Sequence, residues 1–186
     1  MSAAGFTLID TLLTVTFFGI VAAIAVPSVI DANEGLRLGQ GAREVERELQ
    51  TARLRAVSTN RPIRVRFNCP AAGQYRMVEL LGTPTVPAAA DAALNRCAQG
   101  DYPYPPADQN PITVPNHDGP TRRLPVSVTF GAIKTLEFWP DGSVHADTGG
   151  GNPWPVLTTT GTAITVVKKT QTKSITVNGL GKIQLQ

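Results

Sequence analysis

Charge, histidine and cysteine are all scarce in this 186-residue chain. Only 17% of its residues are charged, and 17 lysines and arginines against 14 aspartates and glutamates leave a formal net charge of +3. So small an excess does not by itself imply a nucleic-acid partner. Two cysteines and two histidines exclude a multi-thiolate metal cluster and make an all-protein zinc site a poor expectation. The strings G-x-S-x-G, H-E-x-x-H and the phosphate-cradling G-x-x-x-x-G-K-[ST] are missing. Ser28 and Ser58 lack the surroundings of a nucleophile. His117-Asp118 lies in a Pro/Gly-rich stretch, and Asp141-x-x-x-His145-x-Asp147 reads as a turn aspartate and an ordinary strand histidine. No enzyme, metal or cofactor is therefore expected. Glycine and proline, 17 and 15 residues, make the chain loop-rich but still globular in composition. The length suits one domain and an attachment segment.

What the chain does have is a long apolar run at its start. From Phe6 to Ile30 the only ionisable residue is Asp10, and Phe17 to Val26 has no polar side chain at all. Roughly 20 helical residues cross a bilayer core, so this run is long enough to span one. Threonines 7, 11, 14 and 16 fit such a helix, because their hydroxyls can bond back to carbonyls three or four residues earlier. A secretory signal opens with basic residues and closes on a small-residue cleavage site. The leading MSAAG has no lysine or arginine, and no A-x-A site follows Pro27-Ser28, so the segment is expected to be retained. Asp10 stands out, since a carboxylate at membrane depth is costly and normally has a partner.

Gly5-Phe6-Thr7-Leu8-Ile9-Asp10, the apolar run and Ala25-Val26-Pro27-Ser28 together closely resemble the class III signal of type IV pilins and pseudopilins. The resemblance implies a leader of residues 1–5 that a prepilin peptidase removes between Gly5 and Phe6. Phe6 would then become the N-methylated terminus of a mature chain of 186 − 5 = 181 residues. Asp10 stands where the family has a glutamate that meets the amino terminus of a neighbouring subunit during assembly. Pro27 stands where the family's helix bends gently. The implied setting is a single-pass inner-membrane protein with its C-terminal domain outside the cytoplasm. The implied partners are other pilins or pseudopilins, the peptidase and the inner-membrane assembly platform.

Residues 6–30 are thus expected to be the transmembrane and assembly helix, and 31–60 an amphipathic stalk. In the stalk, Leu38, Ala42, Val45, Leu49, Ala52 and Ala56 recur at steps of four and three and share one helix face. That stripe is expected to pack on the chain's own sheet, with Arg37, Arg43, Glu44, Arg47, Glu48 and Arg55 mostly on the solvated side. Gly35, Gly39 and Gly41 leave room for a bend or a melted turn near 33–41. Asn60-Arg61-Pro62 should stop the helix.

The remainder, 61–186, reads as strands. Candidates are Ile63–Phe67, Gln74–Leu81, Val126–Phe130, Thr135–Trp139, Ser143–Ala146, Ala163–Lys168, Ser174–Val177 and Lys182–Leu185. Pro140-Asp141-Gly142 and Asn178-Gly179 are turn signals. Between them lies an irregular insertion, 82–123, with a short helix expected over 88–94 and the proline-tyrosine stretch 102–106. One long helix packed on an antiparallel sheet is an α+β plan. Ala52-x-x-Arg55-Ala56 before Asn60-Arg61-Pro62, Phe138-x-Pro140-x-Gly142, Ser174-Ile175-Thr176-Val177 and Gly181-Lys182-Ile183 resemble, in that order, the soluble domain of GspH/FimT-type minor subunits. This implies a structural minor pseudopilin or pilin, in a type II secretion pseudopilus or a type IV pilus. With that topology Cys69 and Cys97 lie in an oxidising compartment, where a disulfide between them is expected.

The alternative function is DNA binding, as in some FimT-type minor pilins. From Lys168 onward the chain carries Lys168, Lys169, Lys173 and Lys182 and no acidic residue, which could contact phosphates through charge. Gly181-Lys182-Ile183-Gln184 departs from the basic G-R-x-R-like motif of those relatives, and no aromatic residues interleave for base stacking.

Overall fold

The computed structural model describes residues 7–83, 86, 88, 91, 94–97, 118–149 and 153–186. Gly5, Phe6, most of 88–94, the stretch 102–106 and His117 lie outside the described residues, as does the side chain of Pro27. The chain divides into two compact units, Met1–Leu36 and Arg37–Gln186.

One helix, α1 (Leu8–Thr59), contributes to both units. A melted turn near 33–41 is not found: the residues stay helical through Gly35, Gly39 and Gly41. At Gly41 the reason is packing. A β-carbon there would lie 3.1 Å from Pro125 Cδ and 3.5 Å from a Leu124 methyl, so the bare backbone admits the 124–128 segment, and that contact offsets the poor helix propensity. The helix ends at Asn60, whose φ of 53° is left-handed. The Arg61 amide reaches back to the Ala56 carbonyl at 3.3 Å, the hydrogen bond of a Schellman termination.

Nine strands follow among the described residues. They are β1 (Ile63–Phe67), β2 (Gln74–Glu79), β3 (Arg122–Arg123), β4 (Thr129–Phe130), β5 (Leu136–Phe138), β6 (Val144–Ala146), β7 (Thr162–Lys168), β8 (Gln171–Val177) and β9 (Ile183–Leu185). They form two antiparallel sheets, β3-β2-β1-β5-β6 and β4-β7-β8-β9. The fold is α+β, as the pattern required.

Apart from strand ends that shift by one or two residues, as where β2 stops at Glu79 rather than Leu81, three details differ from the sequence reading. The strand expected over Val126–Phe130 is cut to Thr129–Phe130, because Pro125 opens a turn in which Ser127 has a φ of 66° and the Val128 amide bonds to the Pro125 carbonyl. The strand expected over Ser174–Val177 begins earlier, at Gln171. It is joined to β7 by the two-residue turn Lys169-Thr170, in which Lys169 takes the left-handed φ of 52° that glycine or asparagine usually supplies. Finally, β3 lies inside the stretch read as irregular; two residues give no alternation to detect.

The stalk stripe is the centre of the domain. Leu38, Ala42, Val45, Leu49, Ala52 and Ala56 are all buried, in one cluster with Ile63, Val65 and Phe67 of β1, Tyr75 and Met77 of β2, Leu136 and Phe138 of β5, and Ile164, Val166, Ile175 and Val177 of the second sheet. Alternation along each strand turns these residues to the helix and their neighbours away. One correction concerns Glu48, which was placed on the solvated side. It is 6% exposed, and its carboxylate accepts a hydrogen bond from Arg122 Nε at 3.3 Å.

Two leucines of α1 give a direct test of this packing. Leu49 is fully buried and Leu54 is 70% exposed. Leu49→Ala should cost about 2–5 kcal/mol of stability, and Leu54→Ala should stay within about 0.5 kcal/mol, both read from chemical denaturation of the detergent-solubilised protein.

Candidate functional site

The first unit offers a helix segment rich in large apolar side chains. Every large hydrophobic side chain from Leu8 to Ile30 is exposed, from 45% at Val21 to 82% at Leu8. Successive residues stand about 100° apart, so the unbroken run Phe17–Val26 carries the apolar surface all the way round, while Asp10, Thr11 and Thr14 share one face nearer the start. A helix of that kind is stable only when buried in lipid or among other helices. It is long and apolar enough to cross a membrane. Its hydroxyls are internally satisfied, as expected. Thr11 donates to the Leu8 carbonyl at 2.7 Å and Thr14 to the Asp10 and Thr11 carbonyls at 3.0 and 2.9 Å, while Thr16 donates to the Leu12 carbonyl.

Asp10 is engaged within its own chain. Its Oδ2 accepts from the Thr7 hydroxyl at 2.6 Å and from the Thr7 amide at 3.2 Å, while the Asp10 amide donates to Thr7 Oγ1 at 3.3 Å. This reciprocal arrangement is a capping box with aspartate in the acidic position. It places a negative charge in the first turn, where the helix dipole favours it. Thr7 was not singled out as a partner of Asp10, although the spacing T-x-x-D carries the signal.

In the second unit, polar side chains cluster on the sheet face turned away from α1. Arg64 gives two hydrogen bonds to Glu137 Oε1, at 3.0 and 2.6 Å, and a third to the Asp91 carbonyl at 2.5 Å. Its guanidinium carbon lies 4.4 Å from the centre of the Trp154 ring, a cation–π stack. Asp91 accepts from the amides of Leu81, Gly82 and Ala88 and from Arg96 Nη1 at 3.2 Å. Arg96, with no exposed surface, also reaches the Glu79 carbonyl and Asp118. Arg76 bonds to the Gly119 and Arg96 carbonyls at 2.5 and 2.9 Å. Burial pushes the Asp118 carboxyl above the usual aspartate range, against the pull of Arg96 and Arg76 and of the Glu79 amide.

These contacts pin the described parts of the insertion to the sheet, and a covalent link joins them. Cys69 and Cys97 form a disulfide with their α-carbons 5.3 Å apart. It ties the β1–β2 connection to the 3-10 turn Leu94–Cys97. The charge network was missed from sequence because Arg64 and Arg66 alternate with Ile63, Val65 and Phe67, the pattern of a solvated outer face. Only the distant residues 91, 96, 118 and 154 reveal the cover.

The remaining candidates separate. His145 stacks on Trp139 at 4.3 Å and bonds through Nδ1 to the Trp154 carbonyl at 2.7 Å. Asp141 accepts from the Ser143 amide and hydroxyl, and Asp147 from the Gly149 amide. Asp141 and His145 share the Ser143 hydroxyl, at 2.6 and 3.2 Å, while Asp147 is engaged elsewhere; among the described residues no group of three or more His, Cys, Asp or Glu could hold a metal ion. The four lysines do not form one patch. Lys168 is only 5% exposed and drops out, a correction that follows from its place on the buried face of β7. Lys169 and Lys173 stand near the β7–β8 turn, and Lys182 near the opposite end of β8, roughly 20 Å away at about 3.3 Å per residue.

Two substitutions follow from these contacts. Asp91→Ala removes one of the two carboxylates on the buried Arg96 guanidinium and the acceptor of three amides, and should cost about 3–5 kcal/mol in denaturant titration. The bonds from Ser143 hold the exposed Asp141 carboxyl below the usual range. Its contribution is present above the ordinary aspartate pKa and is lost as pH falls through the lowered folded value. Asp141→Asn should therefore flatten the acid limb of the stability curve below about pH 4, as followed by thermal unfolding against pH.

No family model and no curated protein matches the chain. Among solved structures, the type IV minor pilin FimU of Pseudomonas aeruginosa (strain PAO1) is similar in two crystal forms. In the P21 form the match has 14% identity and a TM-score of 0.48, over 82% of this chain and 90% of that one. In the P65 form it has 14% identity and a TM-score of 0.44, over 80% and 91%.

Proposed function

We propose that the chain is a structural minor subunit of a pilin-like filament, a type II secretion pseudopilus or a type IV pilus. It would be held in the inner membrane by the apolar part of α1 and built into the filament through that same helix. The observation that carries this reading is the helix surface from Leu8 to Ile30, exposed and predominantly apolar, with no polar side chain from Phe17 to Val26. Burying a large aliphatic or aromatic side chain contributes about 1.5–3 kcal/mol. Thirteen such side chains in water would therefore far outweigh the roughly 5–15 kcal/mol that stabilises a domain. A bilayer first, and neighbouring helices later, remove that surface from water.

The likeness of residues 5–28 to a prepilin signal supports the same reading. In it, a prepilin peptidase cuts between Gly5 and Phe6, and Asp10 supplies the negative charge near the new terminus. Pro27 allows curvature, and the assembly platform and other subunits are the partners. The disulfide between Cys69 and Cys97 suits a domain outside the cytoplasm.

Replacing Gly5 by alanine tests the proposal in cells that carry the assembly system. The variant should accumulate in the membrane at precursor mass and fail to enter filaments, while wild-type protein should begin at Phe6 with one added methyl group, by intact-mass and N-terminal analysis. Normal incorporation of the variant, or native protein that begins beyond Pro27 and is released as a soluble species, would overturn it.

A further inference from the structure

Between α1 and the β2–β3 side of the five-stranded sheet lies a cleft of about 430 Å³. Four arginines line it, Arg47 and Arg55 from the helix and Arg122 and Arg123 from β3, against two acids, Glu44 and Glu48. Four less two leaves two positive charges in excess. Glu48 is already committed to Arg122 at 3.3 Å, and it is 6% exposed. Arg122 nevertheless keeps 53% of its side chain exposed, and Arg47 and Arg123 are exposed as well. The floor includes Tyr75, whose ring packs with Phe67 and Phe130 and whose hydroxyl is pushed up in pKa by burial first and by the nearby Glu44 and Glu48 next. The phenol stays neutral and adds no negative charge to the cleft.

We infer that this cleft receives an acidic polypeptide segment of a partner protein, its carboxylates held by Arg47, Arg122 and Arg123. Guanidinium groups match carboxylates as planar forks, and clusters of arginine are a recurring means of recognising acidic motifs. The same features disfavour nucleic acid. Tyr75 is buried, so its face is not offered to a base, and Glu44 and Glu48 would repel a continuous row of phosphates more than spaced carboxylates. The contact lies in the folded domain and is separate from the apolar helix, so it would add selection of a partner to the assembly role proposed above without depending on it.

The test uses full-length protein in zwitterionic detergent and fluorescence anisotropy. The probes are a labelled peptide of alternating glutamate and serine, the same peptide with lysine for glutamate, and an oligo-dT of similar length. The glutamate peptide should bind, weaken as salt is raised, and lose at least about tenfold in affinity in the double variant Arg47→Glu/Arg123→Glu. The charge-matched control Lys134→Glu/Lys173→Glu, at two exposed lysines outside the cleft, should change affinity by less than about twofold, and the lysine peptide should not bind. Arg47→Gln, a neutral change on the exposed side of α1, gives a second reading of several-fold weakening if the double variant unfolds at a lower temperature. Absence of glutamate-peptide binding, binding that neither variant alters, or tighter binding of oligo-dT with the same sensitivity would overturn the inference.

Discussion

Two antiparallel sheets close on one face of a single helix, and the size of the side chains on that face makes this possible. Ala42, Ala52 and Ala56 share the stripe with Leu38, Val45 and Leu49, and Gly41 has no side chain where the 124–128 segment passes. Small residues let the strands approach, and the larger ones fill the space between them. With the helix gone, Ile63, Val65, Leu136 and Phe138 of one sheet and Ile164, Val166, Ile175 and Val177 of the other would lose the residues that join them into one core. The stalk is therefore the core element of its own domain.

The same helix carries a second, different apolar surface. Up to Ile30 its large side chains are exposed on every side, whereas from Leu38 onward the buried positions form a single stripe. The change from all-round to one-sided hydrophobicity divides the helix between two environments. One part needs lipid or other helices, and the other is satisfied by its own sheets. The capping box of Thr7 and Asp10 closes the helix start with groups of the chain itself, so the carboxylate at position 10 already has partners.

The outer face of the five-stranded sheet is held in another way. There the described insertion residues are fixed by buried ion pairs, by hydrogen bonds to backbone carbonyls and amides, and by the disulfide. Such pairs add little net stability compared with a well-packed apolar face, but breaking one leaves a charge stranded. They specify where the insertion sits. Its edge at Pro120–Arg123 forms one wall of the arginine-lined cleft, so the position of the cover and the shape of the cleft are coupled.

The apolar run, the helical stripe, the helix stop at Asn60 and most strand positions were legible in the sequence because each is a local pattern with a fixed period or a characteristic turn residue. The α+β plan follows from them. Tertiary structure alone decided what depends on residues far apart in the chain. It buried Glu48 and Lys168, kept Gly35 to Gly41 helical, set Lys169 in a left-handed turn, and gathered Arg64, Arg76, Arg96, Asp91, Asp118 and Glu137 under one cover. Periodicity tells which side a residue faces. Whether that side meets water or another part of the chain is set by contacts between distant segments, which no local pattern encodes.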